Sequence, residues 1–79
     1  MKFDKDKVDD MALALLYLVM WKEKILARAW KSFDWDTMNR LHEKGYIHNP
    51  VGKAKSVGVT EEGYARAEKL FHEIFVEEE

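Results

Sequence analysis

The 79-residue sequence contains no cysteine, a single proline and only four glycines. Without cysteine there is no disulfide framework and no thiolate zinc site, which fits the reducing cytoplasm. Because proline and glycine are scarce, no linker divides the chain, and its length suits one hydrophobic core. We therefore expect a single cytoplasmic domain over residues 1–79.

Residues that carry common catalytic chemistry are also scarce. Neither of the two serines, Ser32 and Ser56, lies in a nucleophile elbow, and no phosphate-binding loop, zinc-protease motif or dinucleotide fingerprint is present. The three histidines, His42, His48 and His72, lack the spacing of a metal site. We expect no catalytic residues, no metal and no cofactor, so the chain is predicted not to be an enzyme.

Long hydrophobic runs are absent as well. The longest, Met11–Trp21, has eleven residues, whereas a membrane-spanning helix needs roughly 20. The residues before it are as acidic as they are basic, unlike a signal peptide. This run predicts a buried helix and no membrane association.

Aromatic residues are plentiful, with three Trp, four Phe and three Tyr in a chain that is 47% hydrophobic. The formal net charge of −2 conceals an uneven distribution. Residues 22–55 carry eight basic and four acidic side chains, whereas residues 56–79 carry two basic and seven acidic ones. This pattern permits an anionic partner at the middle of the chain and disfavours one at its end.

The first helix is predicted to begin after an N-cap at Asp4 or Asp6. One face carries a helical repeat, formed by Val8, Met11, Ala12, Leu15, Leu18, Val19 and Lys22. The remaining circumference is also largely apolar, and a helix apolar on all sides must be covered on several of them. A homodimer or partner interface is therefore predicted at Leu13, Leu16, Tyr17, Met20 and Trp21.

Residues 22–33 are compatible with two structures. Helix propensity favours a first helix that continues to Ala27 or Ala29. The alternation of polar and apolar residues in Arg28–Phe33 favours a short strand instead.

The second half of the chain has clearer boundaries. A second helix is predicted from an N-cap at Asp34 to a left-handed Gly45. Strands at Ile47–Val51 and Lys55–Val59 follow, with Val57 and Val59 on the core side. Thr60 is predicted to cap a last helix whose core face is Tyr64, Ala67, Leu70, Phe71, Ile74 and Phe75, and Glu77–Glu79 are predicted to fray.

These elements predict an α+β fold: three helices with an antiparallel β-hairpin or three-stranded sheet, in the order α-(β)-α-β-β-α. A helix followed by a hairpin and another helix is typical of the second half of a winged helix. The chain has little room between the first helix and Asp34 for the extra helix of a helix-turn-helix. The prediction is therefore winged-helix-like.

Several separated segments resemble one small bacterial family, a domain of unknown function of about this length. They are Lys7-Val-Asp-Asp10, Leu13-Ala-Leu-Leu-Tyr-Leu18, Arg28-Ala-Trp-Lys-Ser-Phe-Asp-Trp-Asp36, Arg40-Leu-His-Glu-Lys-Gly45, Asn49-Pro-Val-Gly-Lys-Ala-Lys-Ser-Val57 and Thr60-Glu-Glu-Gly63. The resemblance implies a bacterial, stand-alone domain and brings no established activity. The sequence departs from the family pattern at Lys22–Ala27, where a glycine-containing turn is expected.

The aromatic segment formed by Trp30, Phe33 and Trp35 lies beside Arg28 and Lys31. It could stack bases while the cations hold phosphate. It could equally close the core where two elements meet, and the large area that aromatic rings bury favours this structural interpretation.

Two further basic groups suggest a nucleic-acid contact. Lys53 and Lys55 lie in the hairpin loop, where lysine attracts phosphate or simply keeps a turn solvated. Asn39, Arg40 and Lys44 lie on the second helix and would contact bases or phosphate if that helix entered a groove. The leading hypothesis is weak, salt-sensitive nucleic-acid binding, and the alternative is a protein-interaction domain that pairs through its first helix.

Overall fold

The computed structural model describes residues 1–77, and Glu78 and Glu79, where part of the predicted fraying falls, lie outside them. In chain order the elements are helix α1 (Lys5–Leu16), a single 3₁₀ turn (Tyr17–Val19), strand β1 (Met20–Glu23), strand β2 (Leu26–Trp30), helix α2 (Trp35–Glu43), strand β3 (Ser56–Val59) and helix α3 (Glu61–Phe75). The predicted α+β class is confirmed, with the order α-β-β-α-β-α.

The three strands form one antiparallel sheet in the order β1-β2-β3. Met20 pairs with Ala29 across the first two strands, and Ala29 pairs with Val57 across the next two. Because side chains alternate along a strand, this register sends one set of residues to each face. The buried set comprises Ala27, Ala29, Val57 and Val59.

The core lies between that buried set and the three helices. Leu13 and Leu16 of α1 join Met38 and Leu41 of α2 and Ala67 of α3 in one cluster. All three helices therefore pack on the same side of the sheet, and within residues 1–77 no helix covers its opposite side.

Local capping chemistry sets the helix starts, as predicted. Asp4 accepts a hydrogen bond from Lys7 N at 3.1 Å, and Asp34 accepts one from Thr37 N at 3.2 Å. Thr60 accepts one from Gly63 N at 2.9 Å. Each cap satisfies a backbone donor that the first turn of a helix leaves unpaired.

The end of α2 also follows the prediction. Gly45 has φ +82°, and Tyr46 N donates to Leu41 O at 3.0 Å in the Schellman pattern. The chain then passes against α3, where the Thr60 hydroxyl donates to Gly45 O at 2.7 Å. Gly63 lies so close to the Tyr46 carbonyl that a β-carbon at this position would overlap it.

The first helix ends earlier than predicted. The α-helix ends at Leu16, and Met20 and Trp21 belong to β1. An apolar run does not by itself distinguish a buried helix from a helix that leads into a strand. For residues 22–33 the strand alternative is confirmed, although β2 begins and ends earlier than Arg28–Phe33 and β1 was not anticipated.

The sequence departs from the family pattern at the two-residue turn between β1 and β2. Glu23 pairs with Leu26, so Lys24 and Ile25 form the turn, and Lys24 has φ +59°. Glycine adopts positive φ without steric cost, whereas lysine does not. The turn is kept although the glycine is absent.

The predicted strand Ile47–Val51 is wrong, because only Ile47 pairs, through a single bridge to Val59. Pro50, which lacks an N–H, is fully buried and helps to end the pairing. The strand predicted at Lys55–Val59 is confirmed as β3. In place of the hairpin predicted between α2 and α3, the structure has the β1–β2 hairpin, which precedes α2 and to which β3 adds as the third strand.

Within residues 1–77, every helix is too short or too polar to cross a lipid bilayer.

Candidate nucleic-acid interface

The side of the sheet opposite the helices forms the candidate site. Its residues alternate with the buried set and are Trp21, Glu23, Leu26, Arg28, Trp30, Ser56 and Gly58, here called the open sheet face. The strands bond to each other in the plane of the sheet, so the face itself offers side chains to a ligand.

Two tryptophans form the centre of the open sheet face. Trp21 pairs with Arg28, which places its ring diagonally across from Trp30, and the ring centroids are 5.0 Å apart with an interplanar angle of 47°. Trp30 remains 52% exposed, whereas Trp21 is half-buried. Trp21 therefore supports a ring that solvent, or a ligand, can reach.

Arg28 lies on the same face and is fixed by neutral partners. Its Nε donates to Ser56 Oγ at 3.1 Å, and its terminal nitrogen donates to the Ser56 carbonyl at 3.2 Å. Within residues 1–77 it forms no ion pair with a carboxylate. The guanidinium is thus held in place by neutral acceptors rather than by a carboxylate.

The loop at residues 49–55, here called the basic loop, borders the Trp30 end of this face. Lys31 N donates to Lys55 O at 2.9 Å, and Lys31 Nζ lies 3.4 Å from Gly52 O. Lys53 and Lys55 are exposed between these points. The charge of this edge is therefore positive, whereas Glu23 lies at the far end of the hairpin.

A histidine borders the β3 edge of the open sheet face. His48 N donates to Gly58 O at 2.9 Å, and the imidazole ring of His48 lies over the Gly58 α-carbon. The absence of a side chain at position 58 makes room for the ring.

The predicted contacts on α2 do not belong to this site. Arg40 Nε donates to both oxygens of Asp9, at 2.9 and 3.0 Å, and Asp9 is 1% exposed. Lys44 Nζ lies 2.8 Å from Asp6 and 2.9 Å from Asp9. Their charges are compensated by carboxylates of α1, which weakens the attraction of these two predicted contacts for a nucleic acid.

The ion pairs also shift the protonation equilibria of their members. The hydrogen bond from Lys44 lowers the pKa of Asp6 below its ordinary 3.8, and the bonds to Asp6 and Asp9 raise the pKa of Lys44 above 10.5. Asn39 is half-buried on α2, away from the open sheet face. The cations of α2 thus bind α1 rather than standing free to contact a nucleic-acid groove.

The predicted aromatic segment is divided between three places. Trp30 lies on the open sheet face, Phe33 packs against the core, and Trp35 is exposed at the start of α2. Sequence reasoning missed Trp21, which it had placed in a helix. Met20–Glu23 shows no alternation of polar and apolar residues, so the sequence carried no clear signal for this strand.

The predicted dimer interface is incorrect for two of its five residues. Leu13 and Leu16 are 0% exposed within the single chain, so they cannot contact a second folded copy. The face of α1 predicted as an interface is the face that packs in the core. The exposed apolar side chains of this region form the α1 outer stripe, which comprises Val8, Met11, Leu15 and Leu18.

Beside this stripe lies an apolar groove of about 300 Å³. Met11 and Leu15 form one wall and Phe33 the other, and Lys7 and Asp34 lie at its rims. Tyr17, Met20 and Trp21, the remaining predicted interface residues, are half-buried. Tyr17 donates a hydrogen bond to Glu68 at 3.1 Å, which raises the pKa of Tyr17 to about 12.

A second concave region lies beside the β1–β2 hairpin. It is a cleft of about 680 Å³ near the hairpin turn between Lys22, His48 and Tyr64, and Glu61 and Glu62 give it acidic walls. Among residues 1–77 no three His, Asp or Glu side chains are grouped closely enough to bind a metal ion.

Comparison with known proteins extends the sequence resemblance. The family model described as "Domain of unknown function (DUF6429)" matches residues 4–77. The chain is also similar to a protein of Sinorhizobium fredii (strain NBRC 101917 / NGR234) described as "Uncharacterized protein y4hR". The two are 51% identical over 75 residues, which cover 95% of this chain and 97% of the relative. No solved structure matches the chain. Because the match covers almost every residue that builds the sheet, the helices and the basic loop, the chain belongs to this family of bacterial domains of unknown function.

Proposed function

We propose that this chain is a non-catalytic nucleic-acid-binding module that uses its open sheet face and the basic loop. The observation that carries the proposal is the gathering of Arg28, Lys31, Lys53 and Lys55 around an exposed Trp30, with no carboxylate paired to any of the four among residues 1–77. Phosphate needs free cations, and nucleobases stack on exposed aromatic rings.

The proposed contact surface differs from that of a winged helix that inserts its second helix into a groove. Arg40 and Lys44 have their charge compensated by Asp9 and Asp6, and this weakens their attraction for phosphate. Four free cations imply modest affinity with strong salt dependence. The association constant is expected to fall roughly 50-fold between 50 and 200 mM salt if all four contact phosphate.

A fluorescence-anisotropy titration with labelled oligonucleotides at 50 mM salt tests the proposal. Lys53→Glu is expected to weaken binding several-fold, because it reverses a charge in the basic loop. Lys69→Glu makes the same change of charge on α3, in the helical layer, and is expected to alter the affinity less than twofold. Absence of binding at tens of micromolar protein, or equal loss in both variants, would exclude this function.

A second candidate function is homodimerisation through the α1 outer stripe. It is favoured by the continuous exposure of Val8, Met11, Leu15 and Leu18 along one side of α1, next to an apolar groove. In a twofold-symmetric pair each stripe would contact the groove of the other copy.

A further inference from the structure

We infer that the ligand of the open sheet face is unpaired nucleic acid, with a base stacked on Trp30. This inference rests on the proposed nucleic-acid-binding function and specifies its substrate class. It depends on three observations: the contact of Trp21 with the Trp30 ring, the position of the cations around that ring, and the pairing of the α2 cations with carboxylates of α1.

Trp30 is held ready for stacking before any ligand binds. Its ring contacts Trp21 at a centroid distance of 5.0 Å, and the two residues are diagonal neighbours on paired strands. A ring fixed on a sheet loses little conformational freedom when a base covers it. Trp30 is nevertheless 52% exposed, so one side of the ring is available.

Cations lie on both sides of the ring along the direction of the strand. Arg28 is two residues from Trp30 on the same face, about 7 Å away along the strand. Lys31 and Lys55 continue from the other side, where their main chains are hydrogen-bonded at 2.9 Å. A single-stranded nucleic acid with one base stacked on Trp30 can therefore place its neighbouring phosphates near Arg28 on one side and near Lys31 or Lys55 on the other.

A duplex does not fit this arrangement. Paired bases are stacked on each other, so their faces are closed to a tryptophan ring, whereas unpaired bases can be splayed onto it. The groove-reading alternative needs free charge on α2, and Arg40 and Lys44 are bound to carboxylates of α1. The open sheet face thus favours single strands over duplex.

The test uses the full chain with three ligands of equal length: a thymidine oligonucleotide, its uridine RNA counterpart and a DNA duplex. Trp30→Ala is compared with Trp35→Ala, because the two side chains are almost equally exposed, at 52% and 53%, and only Trp30 belongs to the open sheet face. Anisotropy measures affinity, quenching of tryptophan fluorescence reports stacking, and circular dichroism verifies the fold. The RNA and DNA arms decide which kind of single strand is preferred.

We expect both single strands, or one of them, to bind at least fivefold more tightly than duplex and to quench the fluorescence. Trp30→Ala is expected to weaken single-strand binding about tenfold and duplex binding less than twofold, while Trp35→Ala leaves both unchanged. Trp30→Phe, which keeps an aromatic face, should retain most of the affinity and serves as the second variant if Trp30→Ala unfolds.

Equal affinity for single strands and duplex, or equal effects of the alanine variants at positions 30 and 35, would overturn the inference. In that case a loss of binding in Lys53→Glu would still support a nucleic-acid-binding function based on charge alone. No binding of any of the three ligands at low salt would remove both proposals.

Discussion

Asp9 of α1, which is 1% exposed, accepts two hydrogen bonds from the Arg40 guanidinium of α2, at 2.9 and 3.0 Å. A buried carboxylate is costly unless it is paired and hydrogen-bonded, and Lys44 completes its coordination at 2.9 Å. The pair fixes the orientation of α2 against α1. It also compensates the positive charges of Arg40 and Lys44 and so weakens the attraction of α2 for phosphate.

Removing the Asp9 carboxylate is expected to destabilise the fold strongly. Asp9→Ala leaves Arg40 and Lys44 without their buried partner, and we expect a loss of about 2–4 kcal/mol in the free energy of unfolding, measured by urea denaturation. Asp10→Ala is the control, since its pair with Arg66 at 3.1 Å is partly exposed and contributes about 1 kcal/mol or less. Equal losses in the two variants would contradict a special role for Asp9.

Gly63 is expected to be the glycine least tolerant of alanine. A β-carbon at this position would overlap the Tyr46 carbonyl, a backbone atom that cannot move without displacing the start of α3. Gly63→Ala should lower the free energy of unfolding by about 3 kcal/mol, at the upper end of overpacking effects. Gly45→Ala faces open space and should cost about 1 kcal/mol for its positive φ. Thermal denaturation of both variants checks the order, and a milder effect at position 63 would refute it.

The β1–β2 turn is predicted to gain stability from a glycine. Lys24 adopts φ +59°, a conformation that strains a side chain and suits glycine. Lys24→Gly should raise the free energy of unfolding by about 0.5–1 kcal/mol relative to Lys24→Ala, which removes the same charge but keeps the β-carbon. Chemical denaturation curves of the two variants provide the comparison. No difference between them would mean that the turn carries no strain.

Acid is expected to weaken the start of α2. The Thr37 hydroxyl donates to Asp34 at 2.6 Å, and with the Thr37 backbone N–H it lowers the pKa of Asp34 below its ordinary 3.8. A folded-state pKa below the unfolded value means that this stabilisation is present above about pH 4 and is lost as the pH falls further. The melting temperature of Asp34→Asn, which keeps a capping side chain, should therefore fall less between pH 6 and pH 3 than that of the wild type. A parallel decline in both proteins would contradict this assignment.

Dimerisation through the α1 outer stripe should be sensitive to a charge at Leu18. Leu18 is 64% exposed, so Leu18→Lys should leave the monomer folded while opposing its burial in an interface. Leu26→Lys is the matched control, since Leu26 is 60% exposed on the hairpin. Sedimentation velocity is expected to show a dimer in the wild type and in Leu26→Lys and a monomer in Leu18→Lys. A wild-type monomer at every accessible concentration would exclude this interface.

The sequence by itself determined the features that depend on neighbours along the chain. Asp4, Asp34 and Thr60 accept hydrogen bonds from donors three residues later, and Gly45 takes the left-handed conformation that ends α2. The alternation of Val57 and Val59 likewise predicted which side of β3 is buried. The family resemblance also followed from local segments, and the family match over residues 4–77 confirms it.

Only the tertiary structure decided which side of each element meets the core and which charges remain free. The apolar run Met11–Trp21 offered several equivalent faces, and packing against α2, α3 and the sheet selected Leu13 and Leu16. Asp9 and Arg40 are 31 residues apart in sequence, so no local pattern indicates that each compensates the other. The same long-range pairing of strands brought Trp21 beside Trp30 and turned a supposed helix residue into part of the candidate site.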